Sequence, residues 1–140
     1  FSLGRYEEAI EQLQVAAADL SYDNRPQATQ NLGLAYLKLN KLNDAEASFQ
    51  TALRLNPKLP RSLLELSDIL LQRKQHKLAA RYLREYSSIA RHTPRSLWLG
   101  IQIERVNGDA DAMASYVLAL RNLYPKSPEY RRYMETKNND

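Results

Sequence analysis

Three prolines, Pro26, Pro60 and Pro94, stand 34 residues apart, and each opens a stretch of periodic apolar residues. Proline fits the first turn of a helix, where its missing N–H has no intrahelical partner to lose. A second register accompanies the first. Ala45, Ala79 and Met113 are again 34 apart, and Ala9 precedes Ala45 by 36. Four residues after each comes a large apolar side chain, Leu13, Phe49, Leu83 or Val117, and three further on lie Ala16, Ala52, Tyr86 and Leu120. Steps of four and three keep these residues on one helical face. A fixed period of this length means a stack of supersecondary units, none of which buries its apolar face alone.

Each unit reads as two helices. First helices are expected over residues 27–39, 61–74 and 95–107, and second helices over 42–55, 77–90 and 110–123. The junctions fall at Asn40, Lys74-Gln75 and Gly108, of which asparagine and glycine suit a left-handed helix terminus. Pro57 and Pro125 close two of the second helices. Residues 5–21 form a second helix with its first partner almost entirely missing, and residues 128–138 a short terminal helix.

The stretch "NLGLAYLKLNKLNDAEASFQTALRLNP" carries Leu32-Gly33, Tyr36, Ala45, Phe49, Ala52 and Pro57, a pattern that resembles the tetratricopeptide repeat. Later units depart from it, with Ser67 and Ile101 in the glycine slot and Met113 in the first alanine slot. The expected fold is all-α: a right-handed superhelical solenoid of antiparallel helix pairs, forming one domain over residues 1–140. Residues 1–25 supply a partial first repeat, 26–59, 60–93 and 94–127 full repeats, and 128–140 a C-terminal segment.

Composition narrows the function. With 140 residues, 44% hydrophobic, and only four glycines, the chain suits an ordered globular protein. It has no cysteine, which excludes disulfides and thiolate metal sites, and its apolar runs are too short to span a bilayer. Net charge is +4, from −3 over residues 1–25 to +4 over residues 60–93. The basic run "QRKQHKLAARYLR" is best read as a solvated helix face, with nucleic acid or anionic lipid the minority reading. The chain opens at Phe1 without an initiator methionine, which reads as a trimmed fragment.

Nothing points to catalysis. Phosphate-binding loops of the G-x-x-x-x-G-K-[ST] or G-x-G-x-x-G type are missing, as are a G-x-S-x-G elbow and a histidine pair at i, i+4. His76 takes the slot filled elsewhere by Tyr6, Leu42 and Ala110, so it is expected to pack. His92 precedes Pro94 at a helix C-terminal end, where positive charge is favoured. Two histidines without further ligands do not make a metal site. Nine tyrosines suit base stacking in principle, but Tyr36 and Tyr86 occupy packing slots and Tyr6 a semi-buried one. Tyr130 and Tyr133 either pack the last repeat or face solvent. No enzyme activity, cofactor, metal or nucleic acid is expected.

What remains is surface. Positions 4, 8 and 11 of each first helix form the packing stripe, and positions 2, 5, 9 and 12 lie about 100° around the helix from it. In tetratricopeptide arrays that second stripe lines the concave groove. Here it holds Gln27, Gln30, Leu34 and Leu37; Arg61, Leu64, Asp68 and Leu71; and Arg95, Trp98, Gln102 and Arg105, with Lys38, Gln72 and Val106 beside it. Exposed aliphatics and Trp98 flanked by arginines describe a surface for a peptide or helix with apolar anchors and some acidic character. Alternatively, Trp98 packs against the C-terminal segment, at Tyr130 or Tyr133, and caps the array. Chaperone-binding repeats clamp a C-terminal carboxylate with Lys and Asn at positions 5 and 9. Here those slots hold Gln30/Leu34, Leu64/Asp68 and Trp98/Gln102, so the clamp is absent.

The whole chain resembles the type IV pilus biogenesis and stability proteins, the PilF/PilW pilotin group. The residues that carry this are "GRYEEAIEQL", "LLELSDILLQRKQHKLAARYLREY" and above all "SLWLGIQIERVNGDADAMASYVLALRNLYPKSPEY". The resemblance implies a non-catalytic lipoprotein on the periplasmic face of the outer membrane. It would help the pilus secretin, the pore through which the pilus exits, to localise and assemble as a multimer. The partner is then the secretin subunit, and membrane attachment runs through an acylated cysteine upstream of Phe1. The rival readings are a cytoplasmic scaffold or regulatory repeat domain and the repeat segment of a larger enzyme.

Overall fold

The computed structural model describes residues 3–138 and is helical throughout, with no strand among the described residues. Eight helices follow in order: α1 (Leu3–Ala18), α2 (Arg25–Lys38), α3 (Leu42–Leu55), α4 (Pro60–Gln72), α5 (His76–Ile89), α6 (Pro94–Asn107), α7 (Ala110–Leu123) and α8 (Pro128–Asn138). They gather into two compact units that divide between Ile69 and Leu70, within α4.

The expected boundaries of α3, α7 and α8 match the observed ones, and the others move by a few residues for identifiable reasons. Pro60 and Pro94 are themselves the first residues of α4 and α6, since a residue needing no N–H partner belongs inside the first turn. Helix α1 stops at Ala18, not at residue 21. There Asp19 Oδ1 accepts both the Ser21 backbone N–H at 3.0 Å and the Ser21 hydroxyl at 2.7 Å. The turn closed by this side chain competes with the helix ladder. These bonds hold the Asp19 carboxyl below its ordinary pKa.

The α2–α3, α4–α5 and α6–α7 junctions share one device. Asn40, Lys74 and Gly108, 34 residues apart, adopt φ of 57°, 62° and 75°. The following N–H then reaches back to a carbonyl five residues earlier: Lys41 to Tyr36 at 2.9 Å, Gln75 to Leu70 at 2.9 Å, Asp109 to Glu104 at 3.2 Å. This Schellman closure satisfies carbonyls that a helix end leaves orphaned. Lysine is an unexpected occupant, because its Cβ is strained in the left-handed region where Asn and Gly are tolerated.

In the first unit, Ile10, Leu32 and Ala35 form a core cluster flanked by Leu13, Ala17, Tyr36 and Leu39. Helix α3 turns Ala45, Ser48, Phe49 and Ala52 inward. Gly33 has a packing reason: a Cβ there would lie 2.7–2.9 Å from three ring atoms of Phe49. In the second unit, Leu97, Ile101 and Leu120 form the core, flanked by residues that include Trp98, Met113, Val117, Tyr130 and Tyr133. The glycine–aromatic contact recurs there, one residue earlier than the repeat register places it. A Cβ on Gly100 would lie 2.7–2.8 Å from Tyr116, so this pair, not Ile101 and Val117, makes the close approach. In both pairs the aromatic follows the glycine by 16 residues.

Candidate functional site

The first-helix stripes are best taken unit by unit. In the first unit, Gln27 is exposed and Leu34 and Leu37 are half-buried on α2. Gln30 is committed to structure: its Oε1 accepts the Ser62 N–H at 3.0 Å and the Ser62 hydroxyl at 2.8 Å. It therefore caps the first turn of α4 from a neighbouring helix, satisfying an orphan donor beside a fully buried serine. Gln30→Ala is expected to lower stability by about 1–2 kcal/mol, read by chemical denaturation, because it leaves buried donors unmatched. A loss below about 0.3 kcal/mol would mean that water replaces the amide and that this cap is dispensable.

On α4, Arg61 is exposed and its Nε lies 2.7 Å from Oε2 of the buried Glu65. Leu64, expected as an exposed anchor, is only 7% exposed and belongs to the core. An angular stripe predicts the side of a helix but not what covers it, and here the chain covers it. Asp68 is half-buried and already has a partner.

In the second unit, Leu71, Arg95, Trp98, Gln102 and Arg105 are all half-buried. Trp98 packs against the Leu97–Ile101–Leu120 cluster together with Tyr130 and Tyr133. Its side chain therefore serves the end of the array, as the alternative reading of that residue holds. Arg105 Nη2 donates to Thr136 Oγ1 at 3.2 Å, tying α6 to α8. Arg95 is engaged as well. The half-buried aliphatics Leu34, Leu37 and Leu71 retain the character of anchors.

Sequence reasoning missed a polar cavity in the second unit. A space of about 370 Å³ lies among α5, α6 and α7, lined in part by Arg84, Ser87, His92, Glu104, Asp109 and Tyr116. His92 Nε2 sits 2.7 Å from Ser87 Oγ, and Nδ1 sits 2.8 Å from Ser96 Oγ. Its ring stands edge-on to Tyr116, with centroids 5.6 Å apart. Ser96 also forms a capping box with Thr93, and the Tyr124 hydroxyl donates to the His92 carbonyl at 2.9 Å. The signal for this was the "HTP" before Pro94, which places a histidine at an N-cap.

The position was expected to favour a charged imidazole, but burial does the opposite and lowers the His92 pKa. Burial likewise raises that of the Tyr116 phenol. The folded-state pKa of His92 is thus below its unfolded value of about 6.5. Its contribution is fully present above pH 6.5 and is lost as pH falls from there toward the folded value, then levels off. A stability–pH profile should show this decline, and His92→Gln should flatten it. An unchanged slope in the variant would assign the decline to other groups. His76, in contrast, opens α5, and its carbonyl accepts Asn107 Nδ2 at 3.1 Å.

Among the described residues no group of three or more His, Asp or Glu is placed to hold a metal ion, and no helix is long and apolar enough to cross a membrane.

Paired helices at a 34-residue period, glycine–aromatic packing within pairs and left-handed junctions define the chain as a tetratricopeptide repeat domain of solenoid fold. The family model for the tetratricopeptide repeat matches residues 31–93. Over 95% of its length the chain is 38% identical to the type IV pilus assembly protein PilF of Pseudomonas aeruginosa, covering 53% of that protein. It thus spans about half the length of that relative. A solved P. aeruginosa PilF structure superposes with a TM-score of 0.89 at 37% identity, over 95% of this chain and 60% of that one. PilW, a type IV pilus biogenesis factor, gives 0.77 at 27% identity, over 94% of this chain and 60% of that one. MamA of Desulfovibrio magneticus RS-1, at 18% identity with a TM-score of 0.74 over 99% of this chain and 86% of that one, shares the fold.

Proposed function

We propose that this chain is the repeat-bearing part of a PilF-like protein and works in type IV pilus biogenesis as a non-catalytic binding module. The single observation that carries this reading is 38% identity to PilF across 95% of the chain. Within the reading, the partner is the secretin subunit of the pilus, and binding promotes its localisation and multimer assembly. The protein acts at the periplasmic face of the outer membrane, held by a lipid anchor outside this sequence. The repeats act as one array, and no step of covalent chemistry is assigned to any residue.

The contact surface is the part of the first-helix stripe that the fold leaves available. On α2 this is Leu34 and Leu37, half-buried aliphatics beside the exposed Gln27, with Arg61 exposed on α4. Such side chains suit apolar anchors of an incoming segment, and the arginine suits its acidic residues. Leu64 is excluded as an anchor by its burial, and Gln30 by its work as a cap.

The test is capture of purified secretin subunit by the chain and by Leu34→Glu/Leu37→Glu. Both substitutions fall on half-buried positions, and circular dichroism checks the fold. Capture is expected to weaken about tenfold or more, equivalent to about 1.4 kcal/mol. Undiminished capture by a folded variant rejects this surface, and failure of the parent chain to capture secretin rejects the partner.

A further inference from the structure

Helix α7 carries a second surface, unrelated to the first-helix stripes. Asp111, Ala114, Leu118 and Arg121 are all exposed and follow one another at steps of three, four and three. At 100° per residue they fall within an arc of about 80°. The other side of α7 faces the core, through the fully buried Leu120 and the half-buried Met113 and Val117. Leu118 is 49% exposed. Beside it opens a cleft of about 380 Å³ whose walls include Ala110, Ala114, Val117 and, from α8, Tyr133. A leucine between two alanines at the edge of an apolar cleft is the kind of patch that marks an interaction site.

We propose that this face binds the same face of a second copy of the chain, with the two α7 helices antiparallel about a two-fold axis. The evidence is self-complementarity of the stripe. In an antiparallel pair centred on Tyr116, a residue two before the centre meets the residue two after it, so Ala114 lies opposite Leu118 of the other copy. Five residues from the centre, Asp111 lies opposite Arg121 of the other copy. Both matches occur twice, as an isologous contact requires. Large side chains meet small ones at the middle, and opposite charges meet at both ends. The spacing is that of the a and d positions of an antiparallel coiled coil, where knobs from one helix enter holes of the other. Each Leu118 is then carried to the edge of the partner's apolar cleft.

The charges have a competing explanation. Asp111 is in the first turn of α7 and Arg121 in the last, where each complements the helix dipole. That role affects helix stability and leaves the association state alone, so mass measurement separates the two.

The experiment is sedimentation equilibrium of the 140-residue chain over a dilution series up to about 1 mM, with circular dichroism of each variant. The parent is expected to approach twice its 16.1 kDa mass at high concentration and to dissociate on dilution. Leu118→Glu, at an exposed position, should weaken the dimer about thirtyfold or more, as for a central interface anchor. Asp111→Arg and Arg121→Asp should each weaken it about tenfold by setting like charges opposite each other. The double exchange Asp111→Arg/Arg121→Asp should return the dissociation constant to within about threefold of the parent, because the charge pairs reform in reverse. A parent that stays monomeric throughout overturns the proposal. So does a dimer indifferent to Leu118→Glu, or a double exchange no tighter than either single.

Discussion

Phe49→Ala is expected to cost about 3–5 kcal/mol of unfolding free energy, one of the largest losses available in this chain. The Phe49 ring is fully buried, and it rests on Gly33 of the preceding helix. Truncation removes the transfer free energy of the ring and leaves a cavity that Ala45 and Ala52, both fully buried, are too small to fill. The partner substitution tests the same contact from the other side. Gly33→Ala sets a methyl 2.7 Å from the ring, closer than carbon atoms tolerate, and the buried ring has little room to yield. The expected cost is about 1–3 kcal/mol for overpacking, reduced by the gain of alanine over glycine within a helix. Combining Gly33→Ala with Phe49→Leu should cost less than the sum of the singles by about 0.5 kcal/mol or more, since the smaller side chain leaves space for the methyl. Urea denaturation of the four proteins measures this cycle. Strict additivity, or a Phe49→Ala loss under about 1 kcal/mol, would show that the glycine is set by something other than the ring.

The residues that made the fold legible are those whose role is decided inside one repeat. Pro60 and Pro94 mark helix starts, Asn40 and Gly108 mark left-handed ends, and Gly33 with Phe49 marks the close approach, all from spacing alone. Reading failed where the repeat allows substitution. Lys74 occupies a left-handed junction that its residue type argues against, and only its 34-residue spacing from Asn40 and Gly108 gives it away. The last full repeat moves its glycine and its aromatic back together, to Gly100 and Tyr116, which a fixed slot number misses and a fixed 16-residue interval finds. Pro128 continues the proline series 34 residues beyond Pro94 and opens α8, so α8 starts as a first helix does.

The candidate surface was less legible than the fold, for a physical reason. A helical stripe fixes direction around one helix, whereas exposure depends on what the next helix places against it. Leu64, Gln30 and Trp98 share the stripe with Leu34, yet one is core, one caps α4 and one packs with Tyr130 and Tyr133. Position along the repeat gave no sign of these differences. The glutamine is explained by Ser62, 32 residues away in sequence, and the tryptophan by a cluster that draws in α8.

Leu120→Ala is the second substitution expected to act strongly, by about 2–5 kcal/mol, and its effect should be local. Leu120 is fully buried and forms the second unit's core cluster with Leu97 and Ile101. That cluster is also what Trp98, Tyr130 and Tyr133 pack against, so truncation removes the support under α8 as well as the seam between α6 and α7. In a repeat protein, stability is close to a sum of terms within repeats and between nearest neighbours, so a defect does not spread evenly along the chain. Hydrogen exchange of Leu120→Ala should therefore show the largest loss of protection in α6, α7 and α8, with α2 and α3 changed least. Those two are bound by their own contact through Gly33 and Phe49, which the substitution leaves untouched. Equal loss of protection in all eight helices would instead mean that the chain unfolds as a single cooperative block. In that case the nearest-neighbour description fails, and Phe49→Ala would be expected to strip protection from α8 as readily as from α2.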